Sequence, residues 1–115
     1  MPSRRPERIN SAIHEVIAEI LLREVKDPRV HNVTLTAVTV GPDLKLAKVY
    51  FTTFRPEDRE PALEGLRSAS GYIKRQVAAY LRLRHTPELR FQFDETLEKA
   101  NRLESLLRQV EQKES

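Results

Sequence analysis

Between residues 33 and 54 the hydrophobic period of this chain drops from the helical value to two residues, and on both sides it returns to helical spacing. Val33-Thr34-Leu35-Thr36-Ala37-Val38-Thr39-Val40 is β-branched almost throughout and alternates, with one slip of register at Ala37-Val38. Such a slip predicts a β-bulge or a strand covered on both faces. Gly41-Pro42-Asp43 reads as a turn. Lys45 to Phe54 alternates again, with Ala47, Val49 and Phe51 on one face and Lys48, Tyr50 and Thr52 on the other. The two runs read as an antiparallel hairpin.

Before the hairpin, Ile9, Ile13, Val16, Ile17 and Ile20 form one helical stripe between Pro6 and about Val25. That helix must end by Asp27, because Pro28 pushes its predecessor out of the α region. After the hairpin, Leu63 and Leu66 start a stripe that reaches Ser68-Ala69-Ser70-Gly71, and Ile73, Val77 and Leu81 start another. Small residues with a glycine inside a helical pattern mark a kink or two helices meeting at an angle, and two helices are expected here. Gly71 is expected to adopt a conformation or a close packing that a Cβ would disturb. Pro87 stops the second helix, Leu89 to Asp94 alternates as a third strand, and from Glu95 a terminal helix carries Ala100, Leu103, Leu107 and Val110 on one stripe. The helices should cover one face of a three-stranded sheet and bury Ile13, Ile17, Ile20, Ile73, Val77 and Leu81.

The 115 residues are enough for one core, and 39% hydrophobic with 32% charged residues fits a globular chain better than a membrane or disordered one. Apolar runs are only a few residues long, far short of the roughly 20 needed to span a bilayer. No apolar stretch follows Arg4-Arg5, so no secretory signal is expected, and a cytoplasmic location is. The absence of cysteine excludes disulfides, thiolate nucleophiles and cysteine-type zinc sites. His14, His31 and His85 fall in three separate elements without metal-ligand spacing. Gly41, Gly65 and Gly71 form neither a phosphate loop nor a dinucleotide fingerprint. Acidic pairs such as Glu57-Asp58 and Asp94-Glu95 lie at turns, where capping explains them. Neither an enzyme nor a cofactor or metal is expected from these patterns.

The charge is more telling. The chain carries +3 overall, yet residues 71–90 alone hold five basic side chains and one acidic. Arg75 and Arg82, seven apart, share a helical face with Ala79 between them and Lys74 one step round; Arg84 and Arg90 continue the patch. Arg4, Arg5 and Arg8 form a second cluster at the start of the first helix. Ordinary surfaces mix signs, so a stretch like 71–90 points to phosphate, with a solvated helix face as the plain alternative. A small DNA-binding regulator reading through helix 72–83 is another, with Gly71 as the turn of a helix-turn-helix, although that helix offers only Gln76 centrally for base edges.

The element order α-β-β-α-α-β is that of the type II KH fold, an α+β RNA-binding architecture. Where KH domains carry Gly-x-x-Gly, this chain has Ser68-Ala69-Ser70-Gly71. The Ala69-Ser70-Gly71 motif at the helix kink resembles that of the ribosome-binding factor A family. Further agreement comes from Arg5, Arg8, Ile9 and Ile13, from Val25-Lys26-Asp27-Pro28-Arg29, and from Asp43-Leu44 with Ala47-Lys48-Val49-Tyr50. Tyr72-Ile73, Leu81-Arg82-Leu83-Arg84, Pro87-Glu88-Leu89-Arg90-Phe91 and Asp94 followed by Thr96 complete it. Gly41, Thr96 and Ala100 depart from the family's usual residues. The resemblance implies a KH-like domain over 1–96 with a helical tail over 97–115. It also implies a monomer that binds the free small (30S) ribosomal subunit and its rRNA. The role implied is ribosome biogenesis, with late maturation and 5′-end processing of 16S rRNA, needed most in the cold. RNA contacts are then expected at Arg4, Arg5, Arg8, Lys74, Arg75, Arg82, Arg84 and Arg90.

Overall fold

The computed structural model describes residues 5–114. Helix α1 (Arg5–Arg23) is followed by a single 3-10 turn, Pro28–Val30, and then by strands β1 (Val33–Val40) and β2 (Leu46–Thr53). Helix α2 (Arg59–Leu81) leads to β3 (Glu88–Phe93), and α3 (Thr96–Glu114) ends the chain. The sheet order is β1-β2-β3, with β1 antiparallel and β3 parallel to the central strand. A parallel pair needs a crossover, and α2 supplies it.

The alternation of the strands decides which face is dry. Ala47, Val49 and Phe51 of β2 are fully buried; Leu89, Phe91 and Phe93 stand opposite them on β3, and Val40, Val38 and Leu35 on β1. Leu35 and Val38 differ in parity, so both can face inward only if one residue is skipped. The register shift between Leu35 and Ala37 does this, leaving Thr36 as the extra residue, one position before the slip read from the sequence. Helices α1 and α2 pack on this face and bury Ile13, Ile17, Ile20, Leu66, Ile73 and Val77 completely. Leu81, expected in the core, is only half-buried, because it is the last residue of α2 and the chain turns away there. Phe51 and Phe93 meet edge to face at 5.7 Å.

Two sequence expectations about α2 are corrected. The helix is unbroken from Arg59 to Leu81 and passes through Ala69-Ser70-Gly71 without separating into two. One glycine costs a helix only about 1 kcal/mol, and because the helix's proline, Pro61, sits in the first turn where no N–H is missed, the hydrogen-bond ladder continues through residues 69–71. The Ser70 hydroxyl donates to the Arg67 carbonyl at 2.8 Å within that ladder. Gly71 has ordinary φ, is exposed, and a Cβ there would meet nothing closer than Arg75 Nη1 at 3.5 Å. The glycine that packs closely is Gly65. A Cβ on it would lie 2.9 Å from Val30 Cγ1 and 3.1 Å from Arg29 Cβ, so the missing side chain lets α2 rest directly on the turn 28–30.

That turn is itself held rigidly. Asp27 caps it, accepting from the Arg29 backbone N–H at 2.9 Å and from the Arg29 guanidinium at 2.7–3.1 Å. These bonds hold the Asp27 carboxyl below its usual range. The Asp27-Pro28-Arg29 segment is therefore a pedestal for α2, with buried Val30 as its apolar contact. Tyr72 donates to Glu24 at 2.7 Å and ties the end of α1 to the middle of α2; this bond raises the phenol's pKa.

Candidate nucleic-acid interface

Because α2 crosses over to β3, its exposed flank runs beside a strand with a free edge. Between them lies an open cleft of about 490 Å³, lined by Arg67 and Ser70 from α2 and by Glu88, Leu89, Arg90 and Gln92 from β3. A neighbouring cleft of about 510 Å³ shares Arg67, Phe91 and Gln92 and continues toward Arg59, Thr96 and Lys99. Arg67, Ser70 and Lys74 come to this flank through ordinary helical spacing.

The predicted cations do not all have the same freedom. Lys74 is paired with Glu88, which locks α2 to the start of β3 and cancels its charge locally. Arg75 is exposed, with its Nη1 3.5 Å from where a Cβ on Gly71 would stand, an ordinary contact distance. Arg82 caps α2 in the left-handed conformation, φ 51° and ψ 42°, so it ends the helix instead of extending the face of Arg75. Its backbone N–H and that of Leu83 both bond the Ala78 carbonyl, closing the helix end. Arg84 is exposed in the loop that follows, and Arg90 is exposed on β3. Among the described residues, none of Arg67, Arg75, Arg82, Arg84 or Arg90 has an ion pair.

The start of α1 can be placed relative to this patch. Asn10 Oδ1 accepts from the Val40 N–H at 3.0 Å, beside the hairpin turn, and Tyr80 lines a surface cavity together with Glu15, Val16 and Glu19 of α1. The first turns of α1 thus lie at the same end of the molecule as the last turn of α2, the 82–87 loop and the start of β3. Arg8 is exposed there, Arg5 opens α1, and Arg4 lies outside the described residues. Other arginines are committed to structure: Arg59 stacks over Phe93 at 4.1 Å and bonds Glu95 at 2.9 Å. At the far end of the sheet Asp94 accepts from the Thr36 hydroxyl at 2.6 Å and the Thr96 N–H at 2.9 Å, which depress its pKa.

Arg67 was hidden in the sequence because its stretch, 55–70, is net acidic; the clue was its position three before Ser70. The continuous α2 also removes the helix-turn-helix reading, which needs a turn at Gly71. Among the described residues no group of three or more His, Asp or Glu side chains could hold a metal, and no helix is long and apolar enough to cross a membrane.

A sequence model described as ribosome-binding factor A matches residues 5–107. The chain belongs to the ribosome-binding factor A family. A ribosome-binding factor A of Pelobacter propionicus is 46% identical over 109 residues, covering 94% of this chain and 89% of the relative. The crystal structure of ribosome-binding factor A from Thermus thermophilus superposes with a TM-score of 0.68 at 29% identity, over 76% of this chain and 93% of that one. A homology model of the Thermus thermophilus factor, fitted into the cryo-EM map of its 30S complex, matches with a TM-score of 0.59 at 29% identity, over 78% and 91% of the two chains. In this structure the Ala69-Ser70-Gly71 stretch is a run of small residues within an unbroken helix, with Arg67 and Arg75 four residues to either side of Gly71.

Proposed function

We propose that this protein is a ribosome assembly factor that binds the free 30S subunit in the cytoplasm and supports late maturation and 5′-end processing of its 16S rRNA. The observation that carries the reading is a set of exposed arginines without ion pairs among the described residues, Arg67 and Arg90 lining an open cleft and Arg75, Arg82 and Arg84 further along α2 and in the loop after it, on a KH-like scaffold. The 30S complex of a related factor supports the choice of partner. Guanidinium groups free of carboxylates are available for bidentate phosphate contacts, and phosphate contacts set affinity without reading sequence. Arg4, Arg5 and Arg8 extend the contact from the start of α1, while Lys74 acts mainly by fixing β3. The protein works as a monomer, without cofactor or catalysis, over a binding domain of residues 1–96 with the 97–115 helix as an appendage, and its contribution is greatest in the cold.

Arg82 adds a physical argument. An L-residue in the left-handed region costs about 1 kcal/mol relative to glycine, the usual occupant of such helix ends. An arginine held there places a cation at the rim of the patch at the expense of stability. The test is gradient sedimentation of ribosomal particles from cells carrying tagged wild-type or Arg75→Glu/Arg82→Glu protein. Wild type is expected with free small subunits and the double reversal at the top of the gradient. Co-migration of the reversed protein with small subunits would refute the assignment of the face.

A further inference from the structure

We propose that the face of the sheet turned away from the helices is a second RNA site, which holds a short unpaired segment with one base stacked on Tyr50. This rests on the reading of the protein as an RNA-binding factor, and it concerns the sheet face opposite α1 and α2, which meets the first site at β3, where Arg90 and Gln92 also line the cleft and Tyr50 borders the neighbouring one with Arg67. Alternation puts Lys48, Tyr50 and Thr52 of the central strand on that face. The register then builds two rows across it. One is Ala37, Tyr50 and Gln92; the next is Thr39, Lys48 and Arg90.

Each row has a feature that folding alone does not explain. Lys48 and Arg90 are direct partners on adjacent strands, and like charges directly opposite one another destabilise a sheet. Both are exposed, and neither has an ion pair among the described residues. The nearby carboxylate that could neutralise them, Glu88, is held by Lys74. An anion is the missing partner, and a phosphate between the two cations supplies it. In the adjoining row the only aromatic ring of this face inside the sheet stands between alanine and glutamine. Ala37 leaves one side of the ring low, and the Gln92 amide can both donate to and accept from a base edge. A half-buried aromatic on a central strand, flanked by cations about 7 Å along the strand, is the arrangement that stacks unpaired bases on sheet surfaces. A duplex cannot use such a ring, because its bases are already stacked, so the ligand is single-stranded.

The test uses the full chain and a nine-nucleotide oligo(U), with fluorescence anisotropy at several salt concentrations. Tyr50→Leu should weaken binding about tenfold or more, and Tyr50→Phe, which keeps the ring, should stay close to wild type. Lys48→Gln, at an exposed position that folding does not need, should weaken binding and flatten the salt dependence by a slope of about 0.7. Unchanged affinity in both Tyr50→Leu and Lys48→Gln overturns the proposal. If Arg75→Glu/Arg82→Glu still loses small-subunit binding in that case, the first RNA face stands and only the second falls. Loss of subunit binding by Tyr50→Leu with no oligonucleotide binding by wild type also overturns it, in favour of a protein contact on this face.

Discussion

Gly65→Ala should destabilise the protein, whereas Gly71→Ala, six residues along the same helix, should stabilise it. Both changes gain about 1 kcal/mol of helix preference, because alanine loses less backbone freedom on folding than glycine. At Gly71 nothing opposes that gain, since the new methyl would meet only the mobile end of Arg75 at 3.5 Å. At Gly65 it would arrive 2.9 Å from Val30 Cγ1 and 3.1 Å from Arg29 Cβ, against an ordinary carbon–carbon contact of about 3.5–4.0 Å. Val30 is only 2% exposed and Arg29 is fastened to Asp27, so the turn cannot retreat without opening the seam with α2. Overpacking of this kind costs about 1–3 kcal/mol. The propensity gain is common to both variants, so their difference isolates the steric cost of about 1–3 kcal/mol. At about 4 °C per kcal/mol for a domain of this size, the melting temperatures should separate by about 4–12 °C. Thermal melts followed by circular dichroism at 222 nm would measure it. If the two variants melt together above wild type, α2 does not rest on the 28–30 turn and the account of Gly65 is wrong.

Arg82→Gly should raise stability by about 1 kcal/mol while weakening small-subunit binding, a divergence that urea unfolding and sedimentation together would expose. Each arginine removed from the set at 67, 75, 82, 84 and 90 should flatten the salt dependence of rRNA binding by about 0.7–0.9, and Lys74→Gln should do so less because Glu88 already holds that charge. Arg102→Glu/Arg108→Glu on α3 should leave rRNA affinity nearly unchanged in the same titration, since that helix has no net positive charge, Arg108 is paired with Glu104, and neither arginine lines the clefts beside α2. Asp27 and Asp94 have folded pKa values below the ordinary 3.8, so each stabilises the fold above that pH and ceases to do so as pH falls through its depressed folded value. Urea midpoints should therefore drop between about pH 5 and pH 2, and by less in Asp94→Asn, because these carboxyls carry the effect.

The hairpin, the α1 stripe and the Ile73–Val77 stripe were legible because each depends on local period: Ile13, Ile17 and Ile20 face the core for the same reason that they recur in the sequence. The bulge was legible to within a residue, since a parity slip between Leu35 and Val38 has few other solutions. What failed was everything decided across distance. Gly71 looked special because it stands among small residues, whereas Gly65 is special because of Arg29 and Val30, far earlier in the chain. Lys74 read as a free cation because its partner Glu88 lies on another element. Arg67 was masked by the acidic neighbours used to average its charge. Arg82 was placed on the face of Arg75 by spacing alone, and no spacing rule shows that the helix ends one residue before it.

The parallel pairing of β3 with β2 also imposes an order on how the chain can mature as it is made. Residue 53 completes the hairpin, but the partner that covers the other edge of β2 ends at residue 93, after the whole of α2. At synthesis rates of about 5–20 residues per second, those 40 residues take roughly 2–8 s. Throughout that interval the middle strand has one bare edge, and Ala47, Val49 and Phe51 lack the β3 side of their core. Such an edge can pair with another nascent chain. The apolar α1 and the charged Lys48 on the opposite face are what stand beside it until β3 arrives, and a slower ribosome lengthens the wait in proportion.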